Sequence, residues 1–470
     1  MLLGLYRPSA RHITADGRDY AEIALGDEVV GLASANRGRV AADGVQPETR
    51  KPLSQRDMHL AIVPLEVLRE RCAGADVHKR FVTVAAMVGA GKPVVREFGT
   101  ETGSLLELAD WLQHLGIEDI AMEATGSYWK PVYNILEASG LRPIVGNAAH
   151  MKGVPGWKTD VKDAEWICDL HRHGLVKASF IPARPQRELR EAVRYRMALI
   201  AERAAEANRI SKMLEGANIK LGSLATDILG KSGRDMLAAL AGGATDPEAL
   251  AGLAHGKMKR KHDALVRAFQ GQVGPHLQAM LRVQLDHVAQ LDRGIAQLDG
   301  EIAERLSPFE EALARLDTIP GVNRRVAEVI LAEVGPDMSH FPDAGHLTSW
   351  AGLCPGSNES GGKRRNARTR KGNRTLRDTT VQAGQAAGRS RDTYLGATYR
   401  RIAARRGGKR AAMAVGRSIL EIAYFVLRDG VCYEEIGVNY YDERKKVAVV
   451  RSAVRRLERL GYEVIVSRPA

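Results

Sequence analysis

Two aspartates, Asp160 and Asp163, stand three residues apart in the stretch KTDVKDAEW. At helical spacing they share one face, where their carboxylates repel unless a cation lies between them. Asp76 in GADVHKRFV and Glu123 in IAMEATG add two more acids, one at the start of a strand pattern and one at the end of another. In an open α/β sheet, strand ends and the loops after them are where sites assemble. Four carboxylates meeting there would form a hard, oxygen-rich cage for Mg²⁺ or Mn²⁺. An ion so held could activate a nucleophile and neutralise charge on a phosphodiester undergoing in-line displacement. Each acid also has a plainer use: Asp160 as a helix cap with Asp163 in the first turn, Asp76 and Glu123 as turn residues.

A second constellation lies in CPGSNESGGKRRNARTRKGNRTLRD. Ser360 precedes two glycines, whose missing side chains let a bulky group approach closely. The cations that follow, Lys363, Arg364, Arg365, Arg368, Arg370, Lys371 and Arg374, are candidate nucleic-acid contacts. A serine so placed could attack a phosphodiester, with arginines stabilising the developing charge. The competing reading is a flexible basic loop that only grips phosphates. Ser357 is the local rival, but its Pro-Gly setting favours a loop role.

The wider composition agrees with a nucleic-acid partner. Net charge over 470 residues is +13, and residues 361–417 hold seventeen Lys/Arg against Asp378 and Asp392, so that stretch alone carries +15. No apolar run is long enough to cross a bilayer, and the opening MLLGLYRPSARH is too short in apolar residues for a signal peptide, so a cytoplasmic protein is expected. Four scattered cysteines with no CxxC pair indicate neither a disulfide framework nor a cysteine zinc site and are read as small buried residues. No P-loop is present, and GSNESGG is not the GxSxG elbow of a serine hydrolase.

These groups need elements to position them. Residues 1–70 show no sustained period and are expected to form a poorly ordered extension, with Met58 an alternative start that N-terminal sequencing of the native protein would test. From 71 to 183, strand patterns (GADVHKRFVTVAAMV, REFGT, IEDIAMEATG, LRPIVGNA) alternate with helical ones (SLLELADWLQHLG, YWKPVYNILEASG), which predicts an α/β sheet. Residues 184–310 are expected to be a coiled-coil arm. Val193, Ile200, Ala207 and Leu214 recur every seven in one helix, Leu281, Val288, Ile295 and Ile302 in another, with short helices inserted between. Such an arm serves equally as a dimerisation stalk or as packing within one chain. Residues 311–430 follow as a mostly helical domain in which LDTIPGVNRRVAEVILAEVG places a Pro-Gly turn between helices, a helix-hairpin-helix-like element suited to a phosphate. A small α/β tail, 431–470, completes an α/β plus α architecture.

From about Gly74 onward the chain resembles the DEDD transposases of the insertion-sequence one-ten family, recombinases of bacterial mobile elements. The motifs that carry the resemblance are GADVHKRFV, MEATGSYWKPVYNILE, GWKTDVKDAEWICDLHRHGLV, IPGVNRRVAEVILAEVG and WAGLCPGSNESGGKRRNARTRKGNRTLR, in that order. The resemblance implies a RuvC-like (ribonuclease-H-like) domain, a coiled-coil linker and a C-terminal transposase domain. By motif, Asp76, Glu123, Asp160 and Asp163 would be the metal ligands and Ser360 the serine that becomes joined to DNA. It further implies a structured noncoding bridge RNA that pairs with target and donor DNA, and a homodimer or homotetramer. Residues 1–70 have no counterpart in the motif pattern. The expected activity is excision and insertion of the element through a covalent phosphoserine intermediate, with no need for ATP. A metal-dependent nuclease of branched DNA and a non-catalytic nucleic-acid-binding protein are the competing readings.

Overall fold

The computed structural model describes residues 10–15, 18–25, 28–34, 66–124, 126–146, 160–356, 358–360, 363–366 and 369–466, with the backbone path alone given up to residue 34, at 160–162 and within 358–366. The chain divides into two compact units. One comprises Met1–Ile181 together with Gly356–Ala367, the other Pro182–Pro355 with Arg368–Ala470.

The first unit is built on a five-stranded mixed sheet. Its strands are β4 (Arg71–Val77), β5 (Phe81–Val88), β6 (Val94–Gly99), β7 (Asp119–Glu123) and β8 (Arg142–Gly146), in the spatial order β6-β5-β4-β7-β8. The three strands on one side form an antiparallel meander, whereas β4-β7 and β7-β8 pair in parallel. Parallel pairing needs crossovers, and helices α1 (Thr102–His114) and α2 (Trp129–Ala138) supply them.

Alternation along the strands separates two faces. Ala73, Ala75 and Val77 of β4 and Ile120 and Met122 of β7 join Leu105, Leu108 and Leu112 of α1 and Val132 and Leu136 of α2 in one buried core. Cys72 and Ala121 face the other way. There helix α3 (Asp160–Arg172) packs through Ala164, Ile167 and Cys168. Its approach depends on Gly74: a Cβ there would lie 2.6 Å from the Ala164 carbonyl oxygen, 2.7 Å from Cys168 Cα and closer still to the Cys168 amide nitrogen. Glycine is therefore the residue that lets α3 lie directly on the backbone of β4.

Residues expected to form an extension without regular structure contain a three-stranded antiparallel sheet, β1 (Ala10–Ala15), β2 (Arg18–Leu25) and β3 (Glu28–Ser34). Asp16-Gly17 and Gly26-Asp27 are the two-residue spacers between these strands, compositions that hairpins favour.

In the second unit, α4 (Arg184–Gly216) and α8 (Pro275–Leu306) are the two long helices, and α5 (Lys231–Ala241), α6 (Pro247–Gly252) and α7 (His262–Ala268) lie between them in sequence. Of the heptad residues, Val193, Leu214, Leu281, Val288 and Ile302 are buried within this single chain, but Ile200 is exposed. The hairpin of α9 (Glu310–Asp317) and α10 (Arg324–Val334) turns at Gly321, whose φ of +89° favours glycine. Asn323 caps α10 by accepting from the Val326 amide at 3.0 Å. Helices α11 (Ala344–Trp350), α12 (Arg374–Ala387), α13 (Tyr394–Arg406) and α14 (Gly408–Asp429) follow.

The tail differs from the α/β expectation. Its described residues contain a short helix at Tyr440–Arg444 and helix α15 (Lys446–Glu458), with no strand among them. The cysteines also divide: Cys72 and Cys168 are buried, Cys354 is intermediate and Cys432 exposed. No helix among the described residues is long and apolar enough to cross a membrane.

Candidate metal and nucleophile site

Position along β4 and β7 decides which carboxylates can meet. The parallel register aligns Ala75 with Met122, so Asp76 and Glu123 are one step further along their neighbouring strands. Because Ala75 and Met122 face the α1/α2 core, Asp76 and Glu123 point to the opposite face, the one that carries α3. Both sit at the C-terminal edge of the parallel strands, and both are partly buried.

Helix α3 brings the remaining pair to that face. Positions 160, 163, 164, 167 and 168 follow one helical stripe, and its lower members Ala164, Ile167 and Cys168 are packed on the sheet. Asp163 is a partly buried residue of the first turn. Asp160 opens the helix at the same stripe, and its side chain lies outside the described residues. The fold thus assigns all four acids to one unit and places three of them, by register and stripe, on a common face of the sheet. Among the described residues, no three or more His, Cys, Asp or Glu side chains are gathered closely enough to hold an ion.

One neighbour escaped the sequence reading. His78 Nε2 lies 2.9 Å from Asp76 Oδ2, and the Asp76 side chain is only 14% exposed. The imidazole packs on Phe81 with ring centroids 4.6 Å apart, so its orientation is fixed from behind. The i, i+2 spacing of Asp76 and His78 in GADVHKR was the available signal.

Ser360 ends strand β9 (Asn358–Ser360), which pairs antiparallel with β10 (Lys363–Asn366). Ser360 is opposite Lys363, so Gly361 and Gly362 alone separate the paired positions. The double glycine is the composition of a two-residue hairpin, and it puts the serine at the tip end of its strand. This segment, Gly356–Ala367, belongs to the same compact unit as the carboxylate-bearing sheet, although nearly two hundred residues of sequence separate it from α3. Lys363, Arg364 and Arg365 are on β10. Arg368 and Ser357 lie outside the described residues, and Arg370, Lys371 and Arg374 are exposed in the second unit.

The base of that basic segment is firmly seated within the second unit. Pro355 and Thr369 form an isolated antiparallel bridge. The Asn373 amide nitrogen donates to the Trp350 carbonyl at 3.1 Å, and its Nδ2 donates to Glu333 Oε2 at 2.6 Å. Glu333 is fully buried and accepts from Arg194 Nε and Nη2, at 2.7 and 2.8 Å. Arg194 is held protonated, its affinity for the proton raised chiefly by that hydrogen-bonded pair.

Comparison with known proteins bears on both regions. Residues 73–219 match the model of a DEDD transposase from IS110 elements, and residues 313–400 match the model of the transposase IS116/IS110/IS902 family. The insertion element IS110 uncharacterized 43.6 kDa protein of Streptomyces coelicolor is 36% identical over 123 residues, which is 25% of this chain and 29% of that protein. The insertion element IS116 uncharacterized 44.8 kDa protein of Streptomyces clavuligerus is 29% identical over 305 residues, 58% of this chain and 71% of that protein. The matched stretch therefore spans less than a third of the first relative and somewhat over two thirds of the second.

Proposed function

Because the chain belongs to the IS116/IS110/IS902 transposase family, we propose that it is a recombinase that excises and inserts the DNA of its own mobile element. The observation that carries this reading is the grouping of the Ser360 hairpin with the sheet that bears Asp76, Glu123 and the Asp160/Asp163 helix in one compact unit. The strand order β6-β5-β4-β7-β8, with β5 alone antiparallel to the rest, supports assignment to the RuvC-like, ribonuclease-H-like class.

In the proposed reaction, Ser360 Oγ gives up its proton to solvent or a neighbouring carboxylate and attacks a DNA phosphodiester; the new Oγ–P bond replaces the P–O bond to one sugar, whose oxygen takes a proton from solvent and leaves as a hydroxyl. A later attack by a DNA hydroxyl on that phosphoserine rejoins a strand and regenerates the serine. Phosphoester energy is conserved, so no nucleotide cofactor is consumed. Asp76, Glu123, Asp160 and Asp163 offer an all-oxygen donor set that suits a hard divalent cation such as Mg²⁺ or Mn²⁺. Such an ion, when bound, supplies charge neutralisation at the phosphate. His78, held on Phe81, orients the Asp76 carboxylate. Lys363, Arg364, Arg365, Arg368, Arg370, Lys371 and Arg374 grip backbone phosphates, leaving sequence to be read by a bridge RNA paired with donor and target DNA. A homodimer or homotetramer in the cytoplasm is the proposed working form.

The test incubates the protein with its element-flanking DNA, Mg²⁺ and the adjacent noncoding transcript, then looks for a protein-DNA adduct on a denaturing gel. An adduct lost in Ser360→Ala, in Asp160→Asn and on chelation supports the proposal. Cleavage without adduct, unchanged by Ser360→Ala, moves the assignment to a metal-dependent nuclease.

A further inference from the structure

The basic run that is continuous in sequence is divided by the fold. Lys363, Arg364 and Arg365 belong to the first unit, whereas the cations from Arg368 onward belong to the second. Within the second unit, Arg400, Arg401, Arg405 and Arg406 of α13 and Lys409 and Arg410 of α14 are all exposed, and Gly407 alone separates the two helices.

The partners of these cations differ from those of the ion-paired arginines of the unit. Arg203 and Arg234 both bind Asp292 at 2.6 Å, Arg194 binds Glu333, and Arg324 binds Glu310. Those charges are neutralised inside the protein. The six cations at the α13/α14 elbow have no carboxylate within ion-pair distance among the described residues; the two acids of α14, Glu421 and Asp429, are taken by Arg417 and Arg428. Three of them are nonetheless held by neutral groups, Arg405 through a donation from Nε to the Arg401 carbonyl at 3.4 Å. Arg400 donates from Nη1 to the Ser390 carbonyl at 2.8 Å and from Nη2 to the Arg391 carbonyl at 2.7 Å. Arg401 lies over the Tyr441 ring, 4.6 Å from its centroid. That ring is itself fixed: it stacks on Tyr394 at 22°, and its hydroxyl is 3.2 Å from the Tyr394 hydroxyl and 3.1 Å from Thr398 Oγ1.

A guanidinium held by carbonyls or by a ring keeps its full charge and has already lost part of its side-chain entropy. Arranged in a cluster, such groups suit a chain of phosphates, each of which takes one cation and releases its counterions. We propose that the α13/α14 elbow is a second nucleic-acid site, separate from the Ser360 hairpin, which takes the phosphodiester backbone of DNA or RNA. This rests on the recombinase reading only for the identity of the nucleic acid. The surface carries charge without a large apolar face, which favours a polyanion over a protein groove or a lipid bilayer.

The test measures binding of the full-length protein to a random-sequence DNA duplex, its single strand and an RNA strand of the same sequence, across a salt series. The variant Arg400→Gln/Arg401→Gln/Arg405→Gln/Arg406→Gln is compared with wild type, with the corresponding four-lysine variant and with Lys363→Gln/Arg364→Gln/Arg365→Gln. Each phosphate contact contributes ~0.9 to the log-log salt slope on duplex and ~0.7 on a single strand, so the glutamine variant should lose about 3 from the slope on the probe that occupies the site. The lysine variant should keep the slope, because charge carries the effect. Whichever probe shows the loss identifies DNA or RNA as the source. Lys409→Gln/Arg410→Gln is a second variant, with an expected loss of about 1.5. Wild-type slopes for both glutamine variants on all three probes, with unchanged melting temperatures, overturn the proposal even if the hairpin variant weakens binding. Absence of binding by wild type to every probe overturns it together with the recombinase reading.

Discussion

Substitution of Gly74 by alanine separates the role of the sheet from that of the acids themselves. The added methyl would meet backbone, not a flexible side chain: the Ala164 carbonyl oxygen at 2.6 Å, Cys168 Cα at 2.7 Å and the Cys168 amide nitrogen closer still. Ordinary contact starts near 3.4 Å, so relief of the carbonyl contact alone demands a withdrawal of 0.8 Å, and helix α3 must move or β4 must buckle. Overpacking of this kind typically costs about 1–3 kcal/mol. The functional cost is of comparable size, about 2.7 kcal/mol for a hundredfold loss, but it falls on the rate. Asp160 and Asp163 belong to the helix and Asp76 to the strand it presses on, so movement of either element shifts the helix pair against Asp76. A displacement on the order of 1 Å between groups that must act together can cost about 10²-fold in rate.

The assay pairs thermal unfolding with the rate of adduct formation in Mg²⁺. Gly103→Ala serves as control, since nothing lies within 4 Å of a Cβ there and the residue is in the first turn of α1. That control should melt at or slightly above the wild-type temperature and react normally. Gly74→Ala should remain folded and lose about two orders of magnitude in rate. Wild-type adduct formation by a folded Gly74→Ala protein would refute the argument that close seating of α3 on β4 aligns the carboxylates.

Glu333→Gln leaves Arg190 and Arg194 without their shared buried counter-charge and should cost about 3 kcal/mol in urea unfolding, the lower end for a broken buried pair because Arg194 is half exposed. His171 is buried and its proton affinity is pushed down to about 4, first by burial and then by Arg69, so the unfolded chain binds more protons between about pH 4 and 6.5. Stability should therefore fall as pH is lowered through that window, by up to about 3 kcal/mol from this residue, and His171→Gln should flatten the acid limb of the pH-stability curve. His78→Ala should slow adduct formation without abolishing it and shift its dependence on Mg²⁺ concentration upward, because Asp76 loses the imidazole that orients it; an unchanged Mg²⁺ dependence would remove His78 from the site.

How far the sequence revealed this arrangement follows from what each signal measures. Alternation in GADVHKRFVTVAAMV and IAMEATG reports burial on two sides of a strand, and the sheet has those strands at 71–77, 81–88 and 119–123. It says nothing of which strands are neighbours, so the alignment of Asp76 beside Glu123 came only with the parallel register. Heptad spacing in the long helices reports an apolar stripe and not its occupant; most of that stripe is buried within the chain, while Ile200 is exposed. Among residues 1–34, the two-residue spacers Asp16-Gly17 and Gly26-Asp27 were legible hairpin signals that average composition concealed. Charge counting merged what the fold divides, because a running sum over 361–417 cannot register that the chain leaves one compact unit and returns to the other within it.

Ser360 shows the same limit from the side of chemistry. In sequence, Ser-Gly-Gly within a basic run reads more readily as a flexible grip on phosphate than as a nucleophile, because flexibility and access both call for glycine. The β9-β10 pairing places that serine opposite Lys363 at the end of a strand and gives its backbone a defined direction, which suits either use. A nucleophile needs such a fixed approach, since most of its advantage over water is orientation. It also needs the carboxylates, and these reach the same unit through a strand edge at 76 and 123 and a helix start at 160 and 163. The glycine at 74 is what joins the two halves of that carboxylate set, so its replacement should act on Ser360 chemistry while leaving every reacting group in the sequence.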